Sequence, residues 1–198
     1  MHLDTMDRAL SAALAAGDLI EFERLAQIAD RQQADRAKRL EAVDALSMAA
    51  PWYARHGIAV FPLQPRTKVP LHGSRGFKDA TTDPATVERW WRQHPQANIG
   101  MPTGARWDVI DIDGPLGYAS LASMKDEGIV PDILARAWTP RGGQHLYIQP
   151  TGDGNAASLR PGVDYRGTGG YVVLPPSVGP NGLIYDWITP PEYGDEDA

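Results

Sequence analysis

The sequence predicts an α+β fold: a mainly antiparallel sheet with helices packed against it. Two observations predict it. Segments that alternate apolar and polar residues are interleaved with segments of helical periodicity. Toward the C-terminus, short strand-like runs follow one another through tight glycine and proline turns, a pattern that suits antiparallel pairing. No repeat and no low-complexity segment interrupts this pattern.

Composition narrows the class. The chain has 198 residues, 42% hydrophobic and 22% charged, which suits one domain of ordinary size plus an appendage. It contains 0 cysteines, which excludes disulfides and thiolate zinc sites. No apolar run is long enough to span a membrane, and the acidic N-terminus lacks an apolar signal core, so a cytoplasmic location is expected. The net charge of -6 is unevenly spread. Residues 1–46 carry 6 basic and 9 acidic side chains, and residues 190–198 carry 4 acidic and 0 basic ones. Residues 47–189 hold 13 basic and 12 acidic side chains, a net of +1. That segment is compatible with phosphate ligands but not with tight nonspecific duplex binding.

Taken in order, residues 3–46 read as a helical hairpin that packs on the main domain or on a partner. Leu3, Met6, Leu10 and Leu14 form one apolar line, Gly17-Asp18 breaks it, and Asp18 with Glu21 resembles a capping box for a second helix carrying Leu25 and Ile28. Ser47 caps a short helix through Pro51 to His56, with Gly57 as its stop. Ile58 to Leu63 is a strand. Gln64 to Thr82 is a long loop whose Arg66, Lys68, Arg75 and Lys78 suit either a phosphate clamp or a solvated surface. Asp83-Pro84 starts a helix with Val87, Trp90 and Trp91 on its apolar face. Asn98 to Met101 is a short strand, and Pro102-Thr103-Gly104 turns the chain.

The next strand, Trp107 to Asp113, places Val109, Asp111 and Asp113 on one face and Ile110 and Ile112 on the other. Two carboxylates on one side of a buried-looking strand repel each other and lose hydration. A hard divalent cation such as Mg²⁺ or Mn²⁺ resolves both costs. A strand that runs out into solvent at Asp113-Gly114 explains the same residues, because D-x-D alone is a weak motif. Pro115 then opens a helix with Tyr118, Leu121 and Met124 inward, closing near Gly128. Ala135 to Thr139 is a strand, and Pro140 to Gly143 is a tight turn bearing Arg141. Gln144 to Gln149 is a strand with His145 and Tyr147 on one face. Thr151 to Ser158 reads as a polar loop. Gly162 to Gly167 is a short strand presenting Asp164, and Tyr171 to Leu174 is a buried one. Asn181-Gly182 signals a hairpin into Leu183 to Trp187, and an acidic frayed tail follows Thr189.

Three elements therefore stand in order: Asp111-x-Asp113, Gly143-x-His145 and Val163-Asp164. This order resembles the archaeo-eukaryotic primase superfamily, and most closely the bifunctional primase–polymerase family of phages, plasmids and other mobile elements. The resemblance extends over residues of about 48–188. Supporting segments include Lys68-Val69-Pro70, Phe77 to Thr82, Thr139 to Tyr147, and Gly162 through Tyr171-Val172-Val173 to Pro175-Pro176-Ser177. It implies a catalytic core on an RRM-like sheet over residues 47–189, with residues 1–46 and 190–198 outside it.

The resemblance implies roles for individual residues. Asp111, Asp113 and Asp164 would hold two divalent ions, Mg²⁺ or Mn²⁺, and His145 would contact the phosphates of the incoming nucleoside triphosphate. Arg141 and Arg166 are added as phosphate or sugar contacts, then Lys68 and Lys78. The implied activity is template-directed nucleotidyl transfer, by a DNA primase, a DNA polymerase or both, in replication of a phage or mobile element within a bacterial host cell. Single-stranded DNA template or primer-template is the implied partner. A helicase is a further one, because many members continue into a helicase domain whereas this chain stops after the catalytic region, as an excised domain or a stand-alone protein would. The cysteine-bound zinc element of some members is impossible here. A catalytically silent nucleotide or single-stranded nucleic-acid binding module on the same fold is the alternative. A nuclease or sugar-nucleotide transferase using D-x-D needs neither the Gly-Gly-Gln-His strand nor Asp164.

Overall fold

The computed structural model describes residues 3–18, 22–23, 25–27, 29–30 and 45–192. Its described helices are α1 (Leu3–Ala15), α2 (Ala45–Arg55), α3 (Pro84–Gln93) and α4 (Gly114–Asp126), with a short 3₁₀ helix at Gly76–Asp79. The strands are β1 (Phe61–Leu63), β2 (Asn98–Pro102), β3 (Asp108–Ile112), β4 (Ile133–Trp138), β5 (Gln144–Ile148), β6 (Ala156–Arg160), β7 (Val163–Arg166), β8 (Tyr171–Leu174) and β9 (Asp186–Thr189). They form a three-stranded sheet, β1-β2-β8, and a six-stranded sheet, β6-β7-β3-β5-β4-β9. Every strand pairing in both sheets is antiparallel, as expected for the α+β class.

Alternation along β3 divides the core. Ile110 and Ile112 join Leu146, Ile148 and Val163 in a cluster covered by α4 (Tyr118, Leu121, Met124) and by Leu10 and Ala13 of α1. Val109 and Tyr147 face the other way, into a cluster with Ile99 and Met101 of β2, Val172 and Leu174 of β8, and Val87 and Trp91 of α3. The large sheet is thus a middle layer, with α4 and α1 behind it and the small sheet with α2 and α3 in front. No described helix is long and apolar enough to cross a membrane.

Local signals explain most boundaries. Asp83 caps α3 by accepting hydrogen bonds from the N–H groups of Ala85 and Thr86, with Pro84 at the first helical position. Gly57, at φ +72°, ends α2 in the left-handed region. Four expectations need correction. Helix α2 begins at Ala45, so Ser47 lies inside it and does not cap it, and Pro51 also sits within the helix. The first strand is shorter than expected, from Phe61, with Val60 making only an isolated bridge to Thr81. The supposed loop from Thr151 to Ser158 leads into a strand, β6. After Asn181-Gly182 only a bridge between Val178 and Ile184 forms, and β9 starts later, at Asp186. The N-terminal break at Gly17-Asp18 is present, and Phe22 and Leu25 bury against the main core. Glu21, Ile28, residues 31–44 and the acidic stretch 193–198 lie outside the described residues.

Candidate active site

The order β7-β3-β5 places Asp111 at the centre of a row. It pairs in register with His145 of β5 on one side and with Asp164 of β7 on the other. In an antiparallel pair, residues directly opposite share a face. All three side chains therefore meet on the face turned toward the small sheet, at the end of β3. Asp108 belongs to the opposite face, where its buried carboxylate accepts hydrogen bonds from the Thr151 N–H and the Tyr165 hydroxyl. Asp113 follows β3 and occupies the capping position of α4, yet its side chain makes no capping hydrogen bond.

The electrostatics report crowding. Asp113 is exposed on its outer side, but partial burial of its carboxyl raises its pKa. The charge of Asp111 adds to that, and so does Asp164, while Lys68 and Arg141 oppose it. Asp111 is only 5% exposed, so water does little to screen it. The Arg166 guanidinium lies 2.7 Å from Asp164 Oδ2 and 3.8 Å from Asp111 Oδ2. The other Asp164 oxygen, Oδ1, accepts the Ser158 N–H at 2.7 Å.

His145 Nε2 stands 3.6 Å from Asp111 Oδ1, too long for a hydrogen bond, and its buried Nδ1 has no partner among the described residues. Burial lowers its pKa from 6.5, outweighing the opposite pull of Asp111, so the ring is neutral at pH 7. Because the folded pKa lies below the unfolded one, the associated stability is complete above 6.5 and is lost as the pH falls below it, where only the unfolded chain takes up the proton. An NMR titration of the folded protein should show the His145 ring signals unshifted through 6.5, where a solvated imidazole is half protonated.

A groove of about 250 Å³ opens at the row and runs along the start of β8, between Lys68, Arg166, Asn155 and Tyr171. Lys68 is exposed, but its loop is pinned. Tyr171 donates its hydroxyl to the Lys68 carbonyl, and the buried Asn98 amide donates to the carbonyls of Thr67 and Val178. Arg141, exposed on the Pro140–Gly143 turn, is near enough to act on Asp113 electrostatically. Lys78 stands exposed on the 3₁₀ helix, and no described contact brings it to the groove. Of the other loop cations, Arg75 is tied to Asp79.

Sequence reading missed three contributors. Ser158 reaches Asp164 only through a kinked backbone, at φ 58°, in a strand taken for a loop. Asn155 accepts the Gly167 N–H and so shapes the groove wall. Tyr185, 3% exposed, lays its ring 5.7 Å from that of His145. Its hydroxyl pKa is raised by burial and by the charge of Asp111, partly offset by Arg141, so it remains a neutral donor beside the acids. Tyr185 sits in an apolar run, with no motif to mark it.

Among the described residues no three His, Asp or Glu side chains converge into a ready-made cation site. The donors still fit a hard cation in kind. They are carboxylates gathered at one end of β3, close enough that burial and the charges of Asp111 and Asp164 raise the pKa of Asp113, with lone pairs left on Asp111 and Asp113. Asp164 is the member whose oxygens are engaged elsewhere.

The family described as bifunctional DNA primase/polymerase, N-terminal, matches residues 50–196. No curated protein matches the chain. The match takes in the acid row, the groove and both sheets, and it covers well over half of the sequence. The chain therefore belongs to the bifunctional DNA primase/polymerase family.

Proposed function

We propose that the protein carries out template-directed nucleotidyl transfer, as a DNA primase, a DNA polymerase or both, in the replication of a phage or mobile element. Family membership supports a nucleotidyl-transfer role of the primase/polymerase type. The observation that carries the finer reading is the row Asp164–Asp111–His145, laid across three neighbouring strands beside a groove with cationic walls. In this reading Asp111, Asp113 and Asp164 hold two divalent ions, Mg²⁺ or Mn²⁺. When bound, such ions activate a 3′-hydroxyl and neutralise a leaving pyrophosphate.

The remaining work falls to the chain's own groups. Lys68 and Arg141 supply positive charge beside the acids for a triphosphate. Neutral His145 can donate one ring N–H to a phosphate oxygen without adding charge. Strand β8 of the small sheet and the glycine turn before it form the wall against which the nucleotide rests. A silent binding module on this fold is the second reading, and the engagement of both Asp164 oxygens by Ser158 and Arg166 favours it.

Incubation with labelled nucleotides and single-stranded DNA, with and without primer, separates the two. Template-dependent products in Mg²⁺ or Mn²⁺, abolished by chelation, are the expected result. Nucleotide binding without incorporation on any template would select the binding module.

A further inference from the structure

We propose that Arg166 is the resident countercharge of the acid row: its guanidinium neutralises Asp164 and Asp111 until a divalent cation loads, and then passes to the triphosphate in the adjoining groove. The inference rests on the reading of the acids as a cation site. It adds that one side chain makes cation and nucleotide binding depend on each other.

The geometry points to this exchange in three ways. First, Asp111 and Asp164 lie opposite each other in register, and Arg166 Nη2 reaches toward both, at 3.8 Å and 2.7 Å. Two carboxylates brought this close on one sheet face need a countercharge, and the guanidinium supplies it. Second, Arg166 competes with a cation by its charge more than by filling the site. Each carboxylate oxygen can accept more than one partner, so Ser158 can keep its bond to Asp164, whereas a fixed positive charge beside the acids opposes a divalent ion. Third, Arg166 has somewhere to go. Its side chain is 32% exposed, and it lines the same groove as Lys68 and Asn155. Released from Asp164, it adds a forked donor for phosphate oxygens at the place where a nucleotide would lie.

Linkage then requires reciprocity. If the cation releases Arg166 for the nucleotide, the nucleotide must tighten the cation by the same factor. A residue serving only as a nucleotide contact would not restrain the cation when no nucleotide is present.

The test is Mn²⁺ binding followed by calorimetry and by the Mn²⁺ spin-resonance signal, without nucleotide and then with a non-hydrolysable nucleoside triphosphate. Wild type should bind Mn²⁺ weakly alone and more tightly with the nucleotide. Arg166→Gln should bind Mn²⁺ alone about tenfold more tightly than wild type and lose most of the nucleotide's enhancement. Arg166→Lys keeps the charge and should stay close to wild type without nucleotide. Mn²⁺ binding to Arg166→Gln that is no tighter than wild type, in a variant with an unchanged melting curve, overturns the proposal. Should Arg166→Gln melt early, Arg166→Lys decides: binding tighter than wild type there also overturns it. Asp111→Asn separately checks the underlying reading. Mn²⁺ affinity that survives this change means that the acids are not the cation site at all.

Discussion

Asp111→Asn is expected to lower nucleotide incorporation about a thousandfold, a loss of about 4 kcal/mol of transition-state stabilisation, while leaving the fold at least as stable as wild type. The two halves of this expectation come from the same geometry. Asp111 is the central member of the row and the most enclosed of its acids, so no neighbouring carboxylate can stand in for it. Its charge is also a burden to the fold, since it helps to raise the pKa of Asp113. A group whose folded pKa is raised contributes stability that is complete below its unfolded pKa of 3.8 and is lost as the pH climbs through the folded value. Removing the Asp111 charge should lower the Asp113 pKa and return part of that stability at neutral pH. In divalent-free buffer the variant should therefore melt no lower than wild type, and a primer-extension assay beside the melting curve checks both statements. A variant that unfolds early would show instead that Asp111 is held for its contacts.

Gly143→Ala should cost about 3 kcal/mol and abolish most activity, because it forces the site's central strands apart. A methyl group on Gly143 would come within 2.1 Å of the Ile112 carbonyl oxygen, between the two acids of the D-x-D strand. The carbonyl belongs to main chain and the position of a Cβ is fixed by its own backbone, so neither can turn aside. Relief requires β5 to move away from β3, and His145 moves with it. Gly142→Ala next door is the contrast. A methyl there meets nothing within 4 Å, and the cost is only that of an L-residue at φ +76°, about 1 kcal/mol. Thermal melts and extension assays on the pair should separate crowding from backbone conformation.

The small residue two places before the histidine thus has a steric cause that sequence alone does not reveal. Other parts of the site were legible because they rest on local rules. Strict alternation from Val109 to Asp113 assigned the acids to one face, and Asp83-Pro84 announced its helix. Strand β6 was not legible, because an edge strand with exposed Ala157, Ser158 and Leu159 has no buried side to impose a period of two. The start of α2 was not legible because Ser47 is a favoured capping residue by type, yet it stands inside the helix. Tyr185 reaches the site through the packing of the small-sheet cluster against His145, and Asn155 through its bond to the chain at Gly167, neither of which a local pattern encodes. Among the loop cations, the pinning of the Lys68 carbonyl by Tyr171 distinguishes that residue from Lys78, and it joins positions far apart in the chain.

The spatial sequence β7-β3-β5 is not the order in which these strands are synthesised. Each pairing around Asp111 must close a long loop before any contact repays the lost chain entropy. The row around Asp111 consequently has no local precursor. A peptide cut from any one strand cannot carry it, and during refolding from denaturant incorporation should reappear only together with the slowest signal of sheet closure.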